Sequence, residues 1–182
     1  RYHLYRPPGL VLARGETLPL LVMLHGCGQT GRDFAASTRM DRLAASGRFL
    51  VLYPEQDRIA NLQGCWNWFA RRNGKAEAEA ATLVAMVDQV LQLYPADHTR
   101  VALAGLSAGA GMAALLATEY PARWSAVAMH SGVAPGAARS TATALAAMVG
   151  KRHADLGAPC PQGLPPLLVL QGTADMVVAP GN

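Results

Sequence analysis

Apolar runs alternate with amphipathic stretches along this chain, and turn-forming residues separate them. Continuous apolar runs at residues 18–24, 49–53 and 167–170 are typical of strands buried on both faces of a sheet. Residues 75–94 instead repeat their apolar side chains at intervals of three and four, which predicts a helix with one buried face. The alternation of the two patterns predicts an α/β fold with a mostly parallel sheet and helices on both faces.

Weaker patterns complete this outline. We expect an edge strand at residues 2–5, a helix at 33–45, a long polar and aromatic loop at 57–74, a strand at 124–129 and an excursion over the rim of the sheet at 132–165. No internal repeat and no linker interrupts the chain, so a single domain over residues 1–182 is predicted.

Composition and charge narrow the class of protein. The 182 residues are 51% hydrophobic and 15% charged, which is enough apolar material for one substantial core. The net charge of +4 comes from scattered basic residues, and this argues against nucleic acid as a partner. No apolar run is long enough to span a membrane. The chain shows no signal peptide, and it opens at Arg1 without a Met, so we expect a processed or trimmed N-terminus.

The strongest signal for chemistry is the sequence Gly-Leu-Ser-Ala-Gly at residues 105–109. It follows an apolar run at 101–104 and precedes a stretch of small residues, which predicts a strand, a sharp turn and a helix. Such a turn resembles the nucleophile elbow of α/β-hydrolases, which holds a serine hydroxyl in front of the sheet. The alternative is a glycine-rich helix start that Ser107 merely caps. The flanking strand and helix favour the elbow.

A serine nucleophile needs a histidine to take its proton and usually a carboxylate to orient that histidine. In α/β-hydrolases these groups follow the serine in the order acid, then histidine. Asp175 fits the acid, because it follows the apolar run at 167–170 at the sheet edge where ligands bind. An ordinary turn aspartate is the alternative interpretation.

No histidine fills the third place, because all five histidines precede Asp175. His130 ends a predicted strand but would break the usual order, and His25 precedes a glycine turn that it more simply shapes. We therefore expect the chain to stop before its catalytic histidine, with a final strand, helix and loop after Asn182.

An acyl-transfer site also needs N–H donors for the oxyanion. The usual pair is the residue after the nucleophile and a residue in the loop after an early strand. Here these are Ala108 and Cys27, and Gly26 and Gly28 permit the unusual backbone that points a main-chain N–H inward.

Four motifs in one order resemble a single family. They are Leu-His-Gly-Cys-Gly-Gln at 24–29, Cys-Trp-Asn-Trp-Phe at 65–69, the elbow at 105–109 and Gly-Thr-Ala-Asp at 172–175. Together they resemble the polyhydroxybutyrate depolymerase-like esterases, which include feruloyl and acetylxylan esterases. The likeness covers nearly the whole chain. It implies an α/β-hydrolase fold, a serine-esterase mechanism with Ser107 and Asp175 in the nucleophile and acid places, and frequent export from the cell.

The same resemblance bears on the cysteines and tryptophans. Export implies an oxidising setting and a disulfide between Cys27 and Cys65, whereas Cys160 has no assigned role. The cysteines lack metal-ligand spacing, and we expect neither a metal nor a cofactor. Trp66 and Trp68 either border the cleft, as flat surfaces for a polymer or an aromatic acyl group, or pack in the core.

Three kinds of function fit these observations. A serine esterase acting on a polyester or an ester-decorated polysaccharide, in an extracellular or periplasmic setting, is favoured by the motifs. A serine peptidase or acyltransferase would use the same groups. A non-catalytic binding domain would have kept the fold and lost its base.

Overall fold

The computed structural model describes residues 1–134, 136–154 and 162–181. Its strands in chain order are β1 (Tyr2–Tyr5), β2 (Leu18–Leu24), β3 (Leu50–Pro54), β4 (Ala96–Leu106), β5 (Ala126–His130) and β6 (Leu167–Leu170). In the described residues these strands form one sheet in the order β1-β3-β2-β4-β5-β6. β1 is antiparallel to β3, and the other neighbouring pairs are parallel. The predicted mostly parallel sheet is confirmed.

Helices cover both faces of the sheet, as predicted. They are α1 (Gly31–Thr38), α2 (Met40–Gly47), α3 (Lys75–Leu93), α4 (Ala108–Glu119) and α5 (Thr141–Met148). The larger core joins α3 and α4 to one sheet face, where Leu20, Leu103 and Met112 are almost fully buried. The smaller core joins α1 and α2 to the other face around Phe34 and Tyr53. Burial on both faces explains why the central strands are continuously apolar.

The single helix predicted at residues 33–45 is wrong, because two helices occupy this region. Arg39 separates them in the left-handed conformation, with φ 54°, and its N–H donates to the Ala35 carbonyl at 3.1 Å. The second helix is fixed at its start by Asp41, whose carboxylate accepts from the Tyr53 hydroxyl at 2.7 Å. Both halves carry helical periodicity, so the pattern does not reveal the break.

Three other features differ from the sequence prediction. β4 begins at Ala96, before the apolar run, and its residues 97–100 are polar and at least partly exposed, so they carry no apolar pattern. β5 begins at Ala126 instead of residue 124, since the Trp124 indole turns away to donate to the Leu116 carbonyl at 3.0 Å. The excursion at 132–165 contains α5, which the sequence prediction missed.

The parallel strands gather the predicted functional residues at one edge of the sheet. His25 follows β2, Ser107 follows β4, Ser131 follows β5 and Asp175 comes shortly after β6. The carboxyl ends of parallel strands are where open α/β sheets bind ligands. Among the described strands, β6 lies at one edge of the sheet, and its residues Leu167–Leu170 are between 46% and 57% exposed. None of the helices in the described ranges is both long and apolar enough to cross a membrane.

Candidate active site

Ser107 lies at the apex of a sharp turn between β4 and α4. Its backbone has φ 56° and ψ −117°, a conformation that non-glycine residues rarely adopt. Hydrogen bonds on both sides hold it there, because the Ser107 N–H donates to the His130 carbonyl at 2.9 Å and the Ser107 carbonyl accepts from Gly111 at 3.1 Å. Such strain persists only where the surrounding structure imposes it. The turn has the geometry expected of a nucleophile elbow.

The glycines flanking the turn are required by close backbone contacts. A Cβ at Gly109 would lie 2.6 Å from the His25 carbonyl oxygen and closer still to the Leu24 carbonyl oxygen. A Cβ at Gly105 would lie 2.6 Å from the backbone nitrogen of Ala110 and closer still to the Gly109 carbonyl. Backbone atoms cannot rotate away as a side chain can. The helix therefore approaches the strands only because these two positions lack side chains.

The turn after β2 presents an unused N–H group. Gly26 donates to the Gln29 side chain at 2.9 Å and Gly28 donates to the Gln63 carbonyl at 2.9 Å. The Cys27 N–H between them has no acceptor within the described residues. Only Gly28 has a positive φ, 77°, so the expectation that both glycines adopt an unusual backbone is wrong for Gly26. The Ala108 N–H, in the first turn of α4, likewise lacks an intrahelical acceptor.

His25 is fully buried and supports this turn through hydrogen bonds. Its Nδ1 lies 2.7 Å from the Gly26 carbonyl oxygen, and its Nε2 accepts from the Gln56 N–H at 3.1 Å. These partners require the neutral ring with its proton on Nδ1. Burial lowers the pKa of His25, which also favours the neutral form. His25 therefore shapes the turn that carries Cys27.

A disulfide joins Cys27 to Cys65, as predicted. The Cα atoms are 4.2 Å apart, slightly below the usual lower limit of about 4.4 Å for disulfides. The bond links the turn after β2 to the aromatic loop, which we define as residues 57–74. The third cysteine, Cys160, lies outside the described residues.

Trp66 and Trp68 are both buried, at 3% and 8% exposure, and both also line a cavity beside Ser107. The Trp66 indole donates to the His25 carbonyl at 3.0 Å. Between the two tryptophans, the Asn67 backbone and side chain both donate to the Glu79 carboxylate on α3. Both tryptophans therefore pack in the core and line the cleft, so the two interpretations that the sequence offered as alternatives apply at once.

The cavity has a volume of about 240 Å³. Its lining includes Ser107, Ala108, Cys27 and Ser131. The structure thus brings the predicted nucleophile and both predicted oxyanion donors to one concave site. This arrangement can place a carbonyl carbon at a hydroxyl and its oxygen at backbone N–H groups, as acyl transfer requires.

Asp175 is connected to the cavity lining through Val178 and is held by several donors. Its Oδ1 accepts from the N–H groups of Val177 and Val178 at 2.9 Å each, and its Oδ2 accepts from Gln171 at 3.1 Å. The backbone donors, with a contribution from the Ser131 hydroxyl, lower the pKa of Asp175 to about 2. The side chain is therefore an ionised and oriented carboxylate at neutral pH.

Ser131 is the site residue that sequence reasoning missed. It has a positive φ of 50°, its Oγ lies 3.0 Å from Nδ1 of His130, and its hydroxyl helps to lower the pKa of Asp175. Its position directly after β5, at the same sheet edge as the elbow, is the signal that would have found it. All five histidines lie in the described ranges, and none of them hydrogen-bonds the Ser107 hydroxyl there.

Comparison with known proteins identifies the family. The family model "Esterase PHB depolymerase" matches residues 1–181. The chain is 33% identical over 175 residues to poly(3-hydroxyalkanoate) depolymerase C of Paucimonas lemoignei, covering 90% of this chain and 42% of that protein. It is 35% identical over 128 residues to feruloyl esterase B of Neurospora crassa, covering 67% of this chain and 43% of that protein. The chain thus spans less than half the length of these relatives.

Solved structures agree on the fold. The acetyl xylan esterase of Aspergillus awamori matches with a TM-score of 0.79 at 22% identity, over 100% of this chain and 70% of that one. A Bacillus cereus carboxylesterase matches with a TM-score of 0.68 at 16% identity, over 100% of this chain and 74% of that one. The predicted α/β-hydrolase fold is confirmed, and the sequence match over nearly every residue shows that the chain belongs to the PHB depolymerase family of esterases.

Proposed function

We propose that this chain carries the nucleophile, the acid and the oxyanion hole of a carboxylic-ester hydrolase. The observation that carries the proposal is the strained turn at Ser107, together with the fact that Ser107 lines the same cavity as Cys27 and Ala108. The Ser107 oxygen attacks the ester carbonyl carbon, the alcohol leaves, and water then releases the acid from the acyl-enzyme. The N–H groups of Cys27 and Ala108 stabilise the negative charge that develops on the carbonyl oxygen.

Asp175 takes the role of the acid that orients the catalytic histidine. Its ionised state and its fixed backbone donors suit that role, because the carboxylate must stay charged while it accepts a histidine N–H. The Ser131 hydroxyl supports the carboxylate from the side of β5.

We place the general base outside these 182 residues. His25 is occupied by its two partners at the turn, and the His130 ring is not part of the cavity lining. The fraction of the relatives' length that the chain covers, 42% and 43%, supports this assignment. Without the histidine, serine hydrolases typically lose on the order of 10⁴–10⁶ in turnover.

The substrate class follows from the relatives' names. One of them acts on poly(3-hydroxyalkanoate), and others are feruloyl and acetylxylan esterases. We therefore propose a polyester or an ester-decorated polysaccharide as the substrate. The Cys27–Cys65 disulfide supports an oxidising location, extracellular or periplasmic.

The nucleophile is tested with a fluorophosphonate probe and peptide mapping on the natural gene product. Labelling is expected at Ser107 and is lost in Ser107→Ala. The matched control is Ser125→Ala, because the Ser125 hydroxyl is bonded to the Val101 carbonyl away from the cavity. Labelling of Ser37, Ser125 or Ser131 instead would overturn the assignment.

The base is tested by comparing p-nitrophenyl butyrate hydrolysis by the 182-residue chain and by the natural gene product. We expect the gene product to be faster by several orders of magnitude. Equal turnover would assign the base to a histidine within the chain, with His130 the first to mutate. No hydrolysis of esters by the gene product would favour the non-catalytic binding domain, and hydrolysis of the matching anilide would favour a peptidase.

A further inference from the structure

The cavity beside Ser107 continues as a cleft between the aromatic loop and α5. On the loop side is an aromatic wall, made of Trp66, Trp68 and Phe69. On the helix side is an α5 wall, made of Ala144, Leu145 and Met148. Leu145 and Ala144 lie three and four residues before Met148, which makes both of them neighbours of Met148 on the helix surface. Neither the elbow nor the oxyanion donors require this second wall.

The lining of the cleft excludes charge. Within the described residues, every side chain that lines the cavity is uncharged. A carboxylate or ammonium group there would lose its hydration and meet only uncharged polar side chains such as Asn61, Gln63 and Thr141, with no opposite charge. The cavity volume of about 240 Å³ exceeds the roughly 150 Å³ that suffices for benzene in an engineered apolar cavity. The space therefore suits an uncharged apolar group of about six carbons.

We propose that this cleft binds an uncharged apolar substituent of the ester and that Ala144 sets the length it accepts. The proposal rests on the ester-hydrolase function proposed above. Ala144 is buried, at 5% exposure, and has the smallest side chain on the α5 wall, so any larger residue there fills the cleft. Leu145 is 59% exposed and stands at the mouth.

The position of α5 ties this wall to the acid. The Ala179 N–H donates to the carbonyl of Met148, the last residue of the helix, at 2.7 Å. Val178, which lines the cavity, donates its N–H to Asp175. The α5 wall is therefore anchored to the loop that carries the carboxylate and is not a free surface segment.

The test uses p-nitrophenyl acetate, butyrate and hexanoate with the natural gene product. Each methylene buried in the cleft is expected to raise kcat/KM by about fourfold. Ala144→Leu adds three carbons to the wall and is expected to lower the ratio of hexanoate to acetate kcat/KM at least tenfold. Ala142→Leu is the matched control, because Ala142 is exposed on the same helix and does not line the cavity. Met148→Ala is expected to extend the preference to longer chains.

A second arm varies the alcohol, with methyl, butyl and hexyl acetate, and tells which side of the ester occupies the cleft. Loss of the long-chain preference in either arm supports the proposal. If acetate is hydrolysed and Ala144→Leu leaves both arms unchanged, the proposal is overturned while the hydrolase function stands.

Binding provides a readout that does not depend on hydrolysis. Titration of the 182-residue chain with 2-octanone, an uncharged ketone with a hexyl chain, is expected to change the fluorescence of Trp66 and Trp68 in a saturable way. Ala144→Leu is expected to weaken this binding at least tenfold, with Ala142→Leu unchanged. Equal binding by the two variants overturns the cleft assignment even if no ester is hydrolysed.

Discussion

Removing the disulfide gives a stability change that can be worked out from the chain. The double substitution Cys27→Ala and Cys65→Ala releases a bond that joins residues 38 apart in sequence. For a loop of this length, the chain-entropy relation gives a loss of about 4 kcal/mol at 25 °C. For a domain of this size that corresponds to a fall in Tm of roughly 8–16 °C. Since small domains have only about 5–15 kcal/mol of stability, the variant is expected to be folded but fragile.

The assay is urea denaturation followed by tryptophan fluorescence, with and without dithiothreitol. The reductant is expected to lower the midpoint of the parent chain towards that of the double variant and to leave the variant unchanged. Alanine keeps the Cys27 N–H, so a change in esterase activity would report the position of the turn and not the loss of the donor. The reasoning is refuted if the variant lies within about 1 kcal/mol of the parent, or if reductant still destabilises it.

Three further predictions concern stability. Gly109→Ala is expected to lower the free energy of unfolding by about 3 kcal/mol or more, because the new Cβ meets backbone oxygens. The control is Gly181→Ala, whose Cβ meets nothing within 4 Å and which is expected to stay within about 0.5 kcal/mol of the parent. Equal melting temperatures of the two variants would contradict this. The pKa of buried His25 is lowered, so the unfolded state binds a proton at a higher pH than the folded state does. The urea midpoint is therefore expected to fall as the pH drops below about 6.5, and to fall less steeply with pH in His25→Leu. A urea midpoint of the parent that does not change with pH would refute this. The pKa of Asp175 is lowered to about 2, so its carboxylate stabilises the fold fully above its unfolded pKa of about 3.9, and this stability is lost as the pH falls through 2. Asp175→Asn is therefore expected to make the urea midpoint depend less on pH between about 4 and 2. A pKa above about 3.5 for this carboxyl, measured by NMR, would contradict this.

The elbow could be predicted from the sequence because its constraints are local. The positive φ at Ser107 and the close contacts at Gly105 and Gly109 each select a residue type, and those residues lie within five consecutive positions. The buried strands are equally local, since burial on both faces demands an uninterrupted apolar run.

The break at Arg39 and the α5 wall could not be predicted in this way. The two halves around Arg39 share a helical pattern, and what separates them is packing against Tyr53 from another element. The α5 segment is rich in alanine, so its periodicity is weak, and its place beside the cavity is fixed by residues far along the chain, as in the hydrogen bond from the Ala179 N–H to the Met148 carbonyl. Such non-local contacts leave no regular spacing in the sequence.

The strained backbone at Ser107 lowers the stability of the fold at the residue that supplies the hydroxyl. A non-glycine residue in such a conformation costs the folded state about 1–3 kcal/mol, and glycine would carry the same turn without that cost. Ser107→Gly is therefore expected to make the protein more stable while it removes the hydroxyl. Selection for folding alone would favour that single exchange. A serine at this strained position is therefore explained by a use for its hydroxyl oxygen.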